Sequence, residues 1–163
     1  SLRSLWVVAA ALAALALILA LAEWRGVRKR GVGEITWVDG LVIGLAQALA
    51  LIPGASRSGV TITAGLFMGL KRADAARFSF LLSVPAIAAS GLYELWKLAE
   101  SSPAGVPWVS VALGTLTAAV SGYAAIAFLM RFLERRSTLA FIVYRLLLGG
   151  LIAGLLLMGK LSP

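Results

Sequence analysis

Apolar residues fill the chain from about Leu2 to Ala22, mostly Ala and Leu, with no charge after Arg3. A run of that length predicts one membrane-spanning helix, which takes roughly 20 residues. A basic stretch follows from Trp24 to Gly33, carrying Arg25, Arg28, Lys29 and Arg30. Trp24 suits an interfacial anchor there. Further apolar runs at Phe78–Leu98, Trp108–Met130 and Thr138–Met158 predict three more spans, separated by a loop at Ser101–Pro107 and a charged turn at Arg131–Arg136. Pro85 is expected to kink or open the helix that contains it.

The apolar segment Thr36–Leu70 breaks this pattern. It is too long for one span and too short for two with a turn. Trp37–Ile52 fits a helix of about 24 Å at 1.5 Å per residue, capped by Thr36 or Asp39, and Val60–Leu70 a second helix of about 16 Å. Pro53-Gly54 stops the first. Two short helices with a polar break between them describe a re-entrant hairpin. Gly40-x3-Gly44, Gly65-x3-Gly69 and Gly150-x3-Gly154 carry the spacing that lets helix backbones approach closely.

Composition strengthens the membrane reading: 61% of the 163 residues are hydrophobic, against about half in soluble domains. The net charge of +8 comes from 15 Lys and Arg against 7 Asp and Glu. These cations fall mainly between apolar runs, where they set orientation and touch anionic membrane lipid, so nucleic acid is not an expected partner. If Thr36–Leu70 returns to the side it left, ten cations share one side and three the other. If it crosses once, the split is six against seven. The positive-inside rule favours the hairpin and makes the ten-residue side cytoplasmic. The chain has no Cys and no His, which removes thiolate, phosphohistidine and imidazole-ligand chemistry. Ala20-Leu21-Ala22 fits a signal-peptidase site, but the run Leu5–Ala22 exceeds the roughly 7–15 residues of a signal-peptide core. The chain opens on Ser1 and reads as part of a longer protein.

The hairpin tip, Pro53-Gly54-Ala55-Ser56-Arg57-Ser58-Gly59-Val60-Thr61, collects the candidate chemistry. An arginine at membrane depth is costly without a partner, and no acid lies within ten residues of Arg57. Its guanidinium forks onto two phosphate oxygens. Ser56, Ser58 and Thr61 add hydroxyl donors, Gly54 and Gly59 allow close backbone approach, and the following helix presents its N-terminus to an anion. Gln47, on the entering helix, is positioned to donate to the same ligand or to bridge helices. The alternative is a turn whose serines cap a helix and whose arginine snorkels or pairs with an acid. Arg145, about one and a half turns into the last span, is expected to snorkel to the cytoplasmic face. Glu134, flanked by Arg131, Arg135 and Arg136, is expected to form a surface ion pair. Charge neutralisation is present, but no base and no carboxylate pair for a metal ion are evident, so the chain offers half of a hydrolytic site.

The stretch "QALALIPGASRSGVTITAGLFMGLKRADAARFSFLLSVPAI" closely resembles the second block of the undecaprenyl-diphosphate phosphatase, or bacitracin-resistance, family. The pattern P-G-x-S-R-S-x-x-T is matched by Pro53, Gly54, Ser56, Arg57, Ser58 and Thr61. The resemblance is close over Trp37–Ala89 and extends in pattern to the other spans. It implies an all-α integral membrane fold: four transmembrane helices plus one re-entrant hairpin, half of an inverted-repeat architecture. The divisions implied are a transmembrane helix at 1–22, a basic cytoplasmic loop at 23–35, the re-entrant segment at 36–70 with its tip at 53–61, and three transmembrane helices at 71–163. The implied activity is hydrolysis of undecaprenyl diphosphate to the monophosphate. That reaction recycles the lipid carrier for cell-wall peptidoglycan and confers bacitracin resistance, in the bacterial cytoplasmic membrane.

Carried over by position, Arg57, Ser56 and Ser58 are the catalytic group, and Gly54, Arg57, Thr61 and Gln47 bind substrate. The family's paired glutamates, its further serine-rich stretch and its histidine are absent here. The resemblance therefore implies a divalent cation, Mg2+ or Ca2+, with ligands outside this chain. The implied partners are the polyprenyl diphosphate, an N-terminal half that completes the site, and a homodimer mate. A transporter or flippase of a phosphate-bearing lipid is the competing function.

Overall fold

The computed structural model describes residues 4–101 and 107–161; they form six helices and no strand. The helices are α1 (Leu5–Arg25), α2 (Trp37–Gln47), α3 (Arg57–Phe67), α4 (Arg72–Ser101), α5 (Trp108–Arg135) and α6 (Leu139–Leu157). Four of them, α1, α4, α5 and α6, are long and apolar enough to cross a membrane. The Ser101–Pro107 loop lies outside the described residues except at its ends, and Arg3 lies outside them too.

The core is built on α1. Ala9, Leu12, Ala16, Leu19 and Ala22 are its buried residues and recur every three or four positions, so they share one face. That face meets α6 and α3. Small residues set the approach: a Cβ added to Gly149 of α6 would lie 3.1 Å from the Ala9 carbonyl oxygen. Of the six glycines expected to pack helices, Gly65 does so, against Ala75 of α4. Gly69 instead ends α3 with φ +84°, and Gly40, Gly44, Gly150 and Gly154 face open space. In lipid, close contact comes from shape rather than hydrophobicity, so the alanine stripe and Gly149 mark the seam. α5 packs on α4 and is exposed over most of its length, Leu133 being its buried residue.

The segment between α1 and α4 returns to where it starts. Arg30 N–H donates to the Gly69 carbonyl (3.0 Å), and Lys71 N–H donates to the Arg30 carbonyl (2.9 Å). Between these points α2 runs out, a short 3-10 turn at Ala48–Leu51 tightens its end, and α3 runs back. Thr36 caps α2 and Asp39 completes the capping box. α3 starts three residues earlier than expected because Ser56, not a later residue, is its N-cap. Arg57 and Ser58 therefore lie in the first turn of a helix rather than in a loop. α4 begins at Arg72, earlier than expected, and runs continuously through Pro85.

A second tie joins the same end of the bundle. The Glu23 carboxylate accepts from Arg28 Nη1 (2.8 Å), Arg72 Nε (2.7 Å) and Thr138 Oγ1 (2.7 Å). It thereby links the end of α1 to the starts of α4 and α6. The basic stretches Arg25–Arg30 and Lys71–Arg77 thus lie together at one end.

Candidate functional site

The mouth of the hairpin is held by one arginine. Arg30 Nη1 donates to Asp39 Oδ1 (3.0 Å) and the Met68 carbonyl (2.9 Å). Its Nη2 donates to Asp39 Oδ2 (2.6 Å) and the Glu34 carbonyl (2.7 Å). Thr36 N–H also donates to Asp39 Oδ2, at 2.8 Å. The Arg30 guanidinium first, then the Thr36 amide, hold the Asp39 carboxyl well below the usual carboxylate range. This cluster ties the start of α2 to the end of α3.

At the tip, Gly54 takes φ +86°, a conformation that side chains with a Cβ rarely adopt. A Cβ there would also fall 2.8 Å from the Val8 carbonyl oxygen of α1. Ser56 Oγ accepts from Gly59 N–H (3.2 Å) and lies 3.3 Å from Ser58 Oγ. Arg145 of α6 reaches into this turn. Its Nη2 donates to the Gly54 carbonyl at 3.3 Å, and a Cβ on Gly59 would come within 2.5 Å of its Nη1. The residue is 7% exposed, and its Nε is buried with no hydrogen-bond partner.

Arg145 therefore does not snorkel. It lies on the stripe Ile142, Arg145, Gly149, which is the buried face of α6, so the side chain is directed inward. Sequence reasoning misplaced this candidate residue. The available signal was an arginine within an apolar run that offers no acid of its own. Glu134 also departs from expectation: among the described residues it makes no ion pair, and it lines a cavity on the α4 side of α5.

The structure gathers some of the expected site residues and separates others. Ser56, Ser58 and Gly59 line one cavity with Arg145 and Thr138. The whole cavity has a volume of about 350 Å³; apart from Tyr144, the rest of its wall is apolar, formed by Leu12, Leu19, Ile62, Leu129, Leu133, Phe141 and Leu148. Arg57 lies two residues before Gly59, about 200° around the helix, and so projects from another side of the same turn. Among the described residues it makes no ion pair. Thr61 is buried and turned away from the cavity. Its hydroxyl donates to the Arg57 or Ser58 carbonyl (3.0 and 3.2 Å) and lies 2.7 Å from Ser79 Oγ of α4. Gln47 lies outside the cavity lining, with its Oε1 buried and unpartnered.

Chemically, the turn offers two guanidinium groups, two hydroxyls and a helix N-terminus, which together suit an anion. No carboxylate lines the cavity to activate a serine. Among the described residues no three Asp, Glu, His or Cys side chains gather to hold a metal ion. The guanidinium and hydroxyl donors at the tip do not fit a divalent cation.

Fold and site together define a multi-span helical protein, with a broken helix whose turn is equipped for an anion beside an apolar cavity. The profile of the family described as Bacitracin resistance protein BacA matches residues 1–151, and the chain belongs to that family. It is 55% identical over 164 residues to an undecaprenyl-diphosphatase of Myxococcus xanthus, covering 99% of this chain and 54% of that protein. It is 50% identical to one of Prosthecochloris aestuarii (99% and 60% covered) and 51% identical to one of Synechocystis (96% and 48%). The chain thus spans about half to three fifths of the length of these relatives. Each of these relatives is named as a phosphatase, none as a transporter or flippase.

Proposed function

We propose that this chain forms the phosphate-gripping part of an undecaprenyl-diphosphate phosphatase. The observation that carries this reading is the shape and polarity of one cavity. A buried guanidinium and the hydroxyl-bearing side chains of Ser56, Ser58, Thr138 and Tyr144 line part of it, and hydrocarbon side chains line most of the remainder. That division matches a lipid with a phosphate head and an isoprenoid tail. Desolvation strengthens the hold of Arg145 on a phosphoryl oxygen, because a charge removed from water interacts more strongly with its partner. Arg57 approaches from another side of the turn and grips the second phosphoryl group. Ser56 and Ser58 donate to the oxygens between them. Thr61, tied to Ser79 and to the first-turn carbonyls, keeps the turn in register.

The nucleophile, the base and the carboxylates for a divalent cation come from outside these residues. They belong to the part of the relatives' length that this chain does not span. The hairpin Thr36–Leu70 is re-entrant, its mouth at the basic end, in the bacterial cytoplasmic membrane. Product monophosphate then returns to carry envelope precursors, which links the reaction to bacitracin resistance.

The test is binding by the purified chain in detergent. Undecaprenyl diphosphate is expected to bind at least tenfold more tightly than undecaprenol, and Arg57→Ala is expected to remove that preference. Phosphate release is expected only when the remaining portion of an undecaprenyl-diphosphatase is supplied. Equal binding of the diphosphate and the alcohol sinks the reading, as does unchanged release with Arg57→Ala.

A further inference from the structure

We infer a second, separate anion site at the outer corner of α5, occupied by the head of an anionic phospholipid. A cavity of about 460 Å³ is lined by Phe128, Arg131, Phe132, Arg135 and Arg136. Among the described residues, none of these three arginines makes an ion pair. Glu134, the acid between them in sequence, lines a different cavity. No carboxylate lines this one, so its charge is uncompensated.

The cavity on the α4 side of α5 provides the contrast. It carries Arg28, Lys71, Arg72 and Arg77, but Asp74 and Glu134 share its lining, and Glu23 bridges Arg28 and Arg72. Cations at the C-terminal end of a helix are favoured by its dipole in any case. The dipole accounts for the arginines and not for the aromatic wall beside them. Phe128 and Phe132 stack with centroids 6.2 Å apart, and Phe128 lies one turn further along α5 from the charged end than Arg131. Charge at the interface with an apolar surface one turn deeper is the arrangement that takes a lipid phosphate above its acyl chain.

The site is distinct from the hairpin tip. Phe132 meets Phe141 edge-on at 5.9 Å; Phe132 lines this cavity and Phe141 lines the tip cavity. The two cavities share no lining residue. The occupant is a resident membrane lipid, and the site does not depend on the phosphatase reading.

The experiment places a reporter on the wall. Phe128 is 71% exposed, so Phe128→Trp is tolerated, and the five native tryptophans supply the background in the unsubstituted chain. The protein is reconstituted in nanodiscs of phosphatidylcholine with a minor fraction of brominated phosphatidylglycerol, or of brominated phosphatidylcholine. The added fluorescence is expected to be quenched by the anionic lipid at about a tenfold lower mole fraction. The triple substitution Arg131→Gln, Arg135→Gln, Arg136→Gln is expected to abolish that preference. Equal quenching by both lipids overturns the inference, as does a preference that survives the triple substitution. Displacement of the brominated lipid by millimolar inorganic phosphate overturns the lipid assignment in favour of a free anion. Absence of quenching by either lipid, with cross-linking between copies at Phe128, assigns the face to a second chain instead.

Discussion

Arg30 at the mouth of the hairpin and Arg145 at its tip are both held by the fold, and they differ in what answers them. Arg30 donates four hydrogen bonds between 2.6 and 3.0 Å, two of them to a carboxylate. Arg145 makes one bond, of 3.3 Å, to a carbonyl, and leaves a buried N–H unanswered. A buried cation is costly unless paired, so a fold that needed Arg145 only for stability would supply an acid. The mouth uses its charges on itself. The tip withholds them, and that difference sets an arginine whose donors are committed to the fold apart from one whose donors are left unused.

The sharpest way to break the comparison is Arg145→Met. If the tip exists to hold an anion, the purified chain is expected to lose affinity for a polyprenyl diphosphate by about a hundredfold, or roughly 2.7 kcal/mol. Its resistance to unfolding in detergent is expected to stay the same or rise, because replacing an unpaired buried charge with an apolar side chain of similar size is often neutral or stabilising. Titration of lipid binding and a denaturation curve on the same preparation read both effects. A marked loss of stability with little change in binding would make Arg145 a second Arg30.

The mouth predicts the opposite pattern. Asp39→Ala removes the acceptor of Arg30 and of the Thr36 amide, and a buried carboxylate hydrogen-bonded this way is worth about 2–3 kcal/mol when deleted. Stability is expected to fall by that amount. Affinity measured on the fraction that remains folded is expected to change less than twofold. Retained stability with lost binding would erase the distinction between the two ends.

The mouth was partly legible in the sequence and the tip only by half, for a physical reason. Thr36 and Asp39 stand three apart before an apolar run, a local capping pattern that needs no tertiary information. Arg57 and its serines were visible because they are polar where neighbours are not. Arg145 was equally visible, yet its direction was not. α6 is apolar all round, so hydrophobicity does not say which face is buried. The inward stripe of α6 is set by Gly149 against Ala9, a contact between residues 140 positions apart. The same limit explains why four of six spaced glycines face open space and why Glu134 turns from its arginine neighbours. Spacing along one helix marks candidates, and only the partner helix selects among them. Ser56 as a cap, which moved Arg57 from a loop into a helical turn, was a local signal, and the proline and glycine before it drew the boundary too far downstream.

The smallest expected effect concerns pH, and it belongs to the mouth. Asp39 titrates well below the ordinary carboxylate range in the folded chain, through its bonds from Arg30 and Thr36, whereas the unfolded carboxyl titrates near 4. Its contribution is therefore fully present above that unfolded value and is lost as pH falls toward the folded one. From pH 8 to about pH 5 this group is expected to leave stability unchanged; below about pH 4 stability declines. Asp39→Asn is expected to flatten that acid limb. Hydrogen exchange locates the effect: on acidification, the amides of Thr36 and Lys71 at the mouth should lose protection before that of Gly59 at the tip, once intrinsic exchange rates are corrected. An acid limb of the same steepness in Asp39→Asn, or earlier opening at Gly59, would place the acid-sensitive anchor elsewhere and leave the mouth without its distinguishing charge.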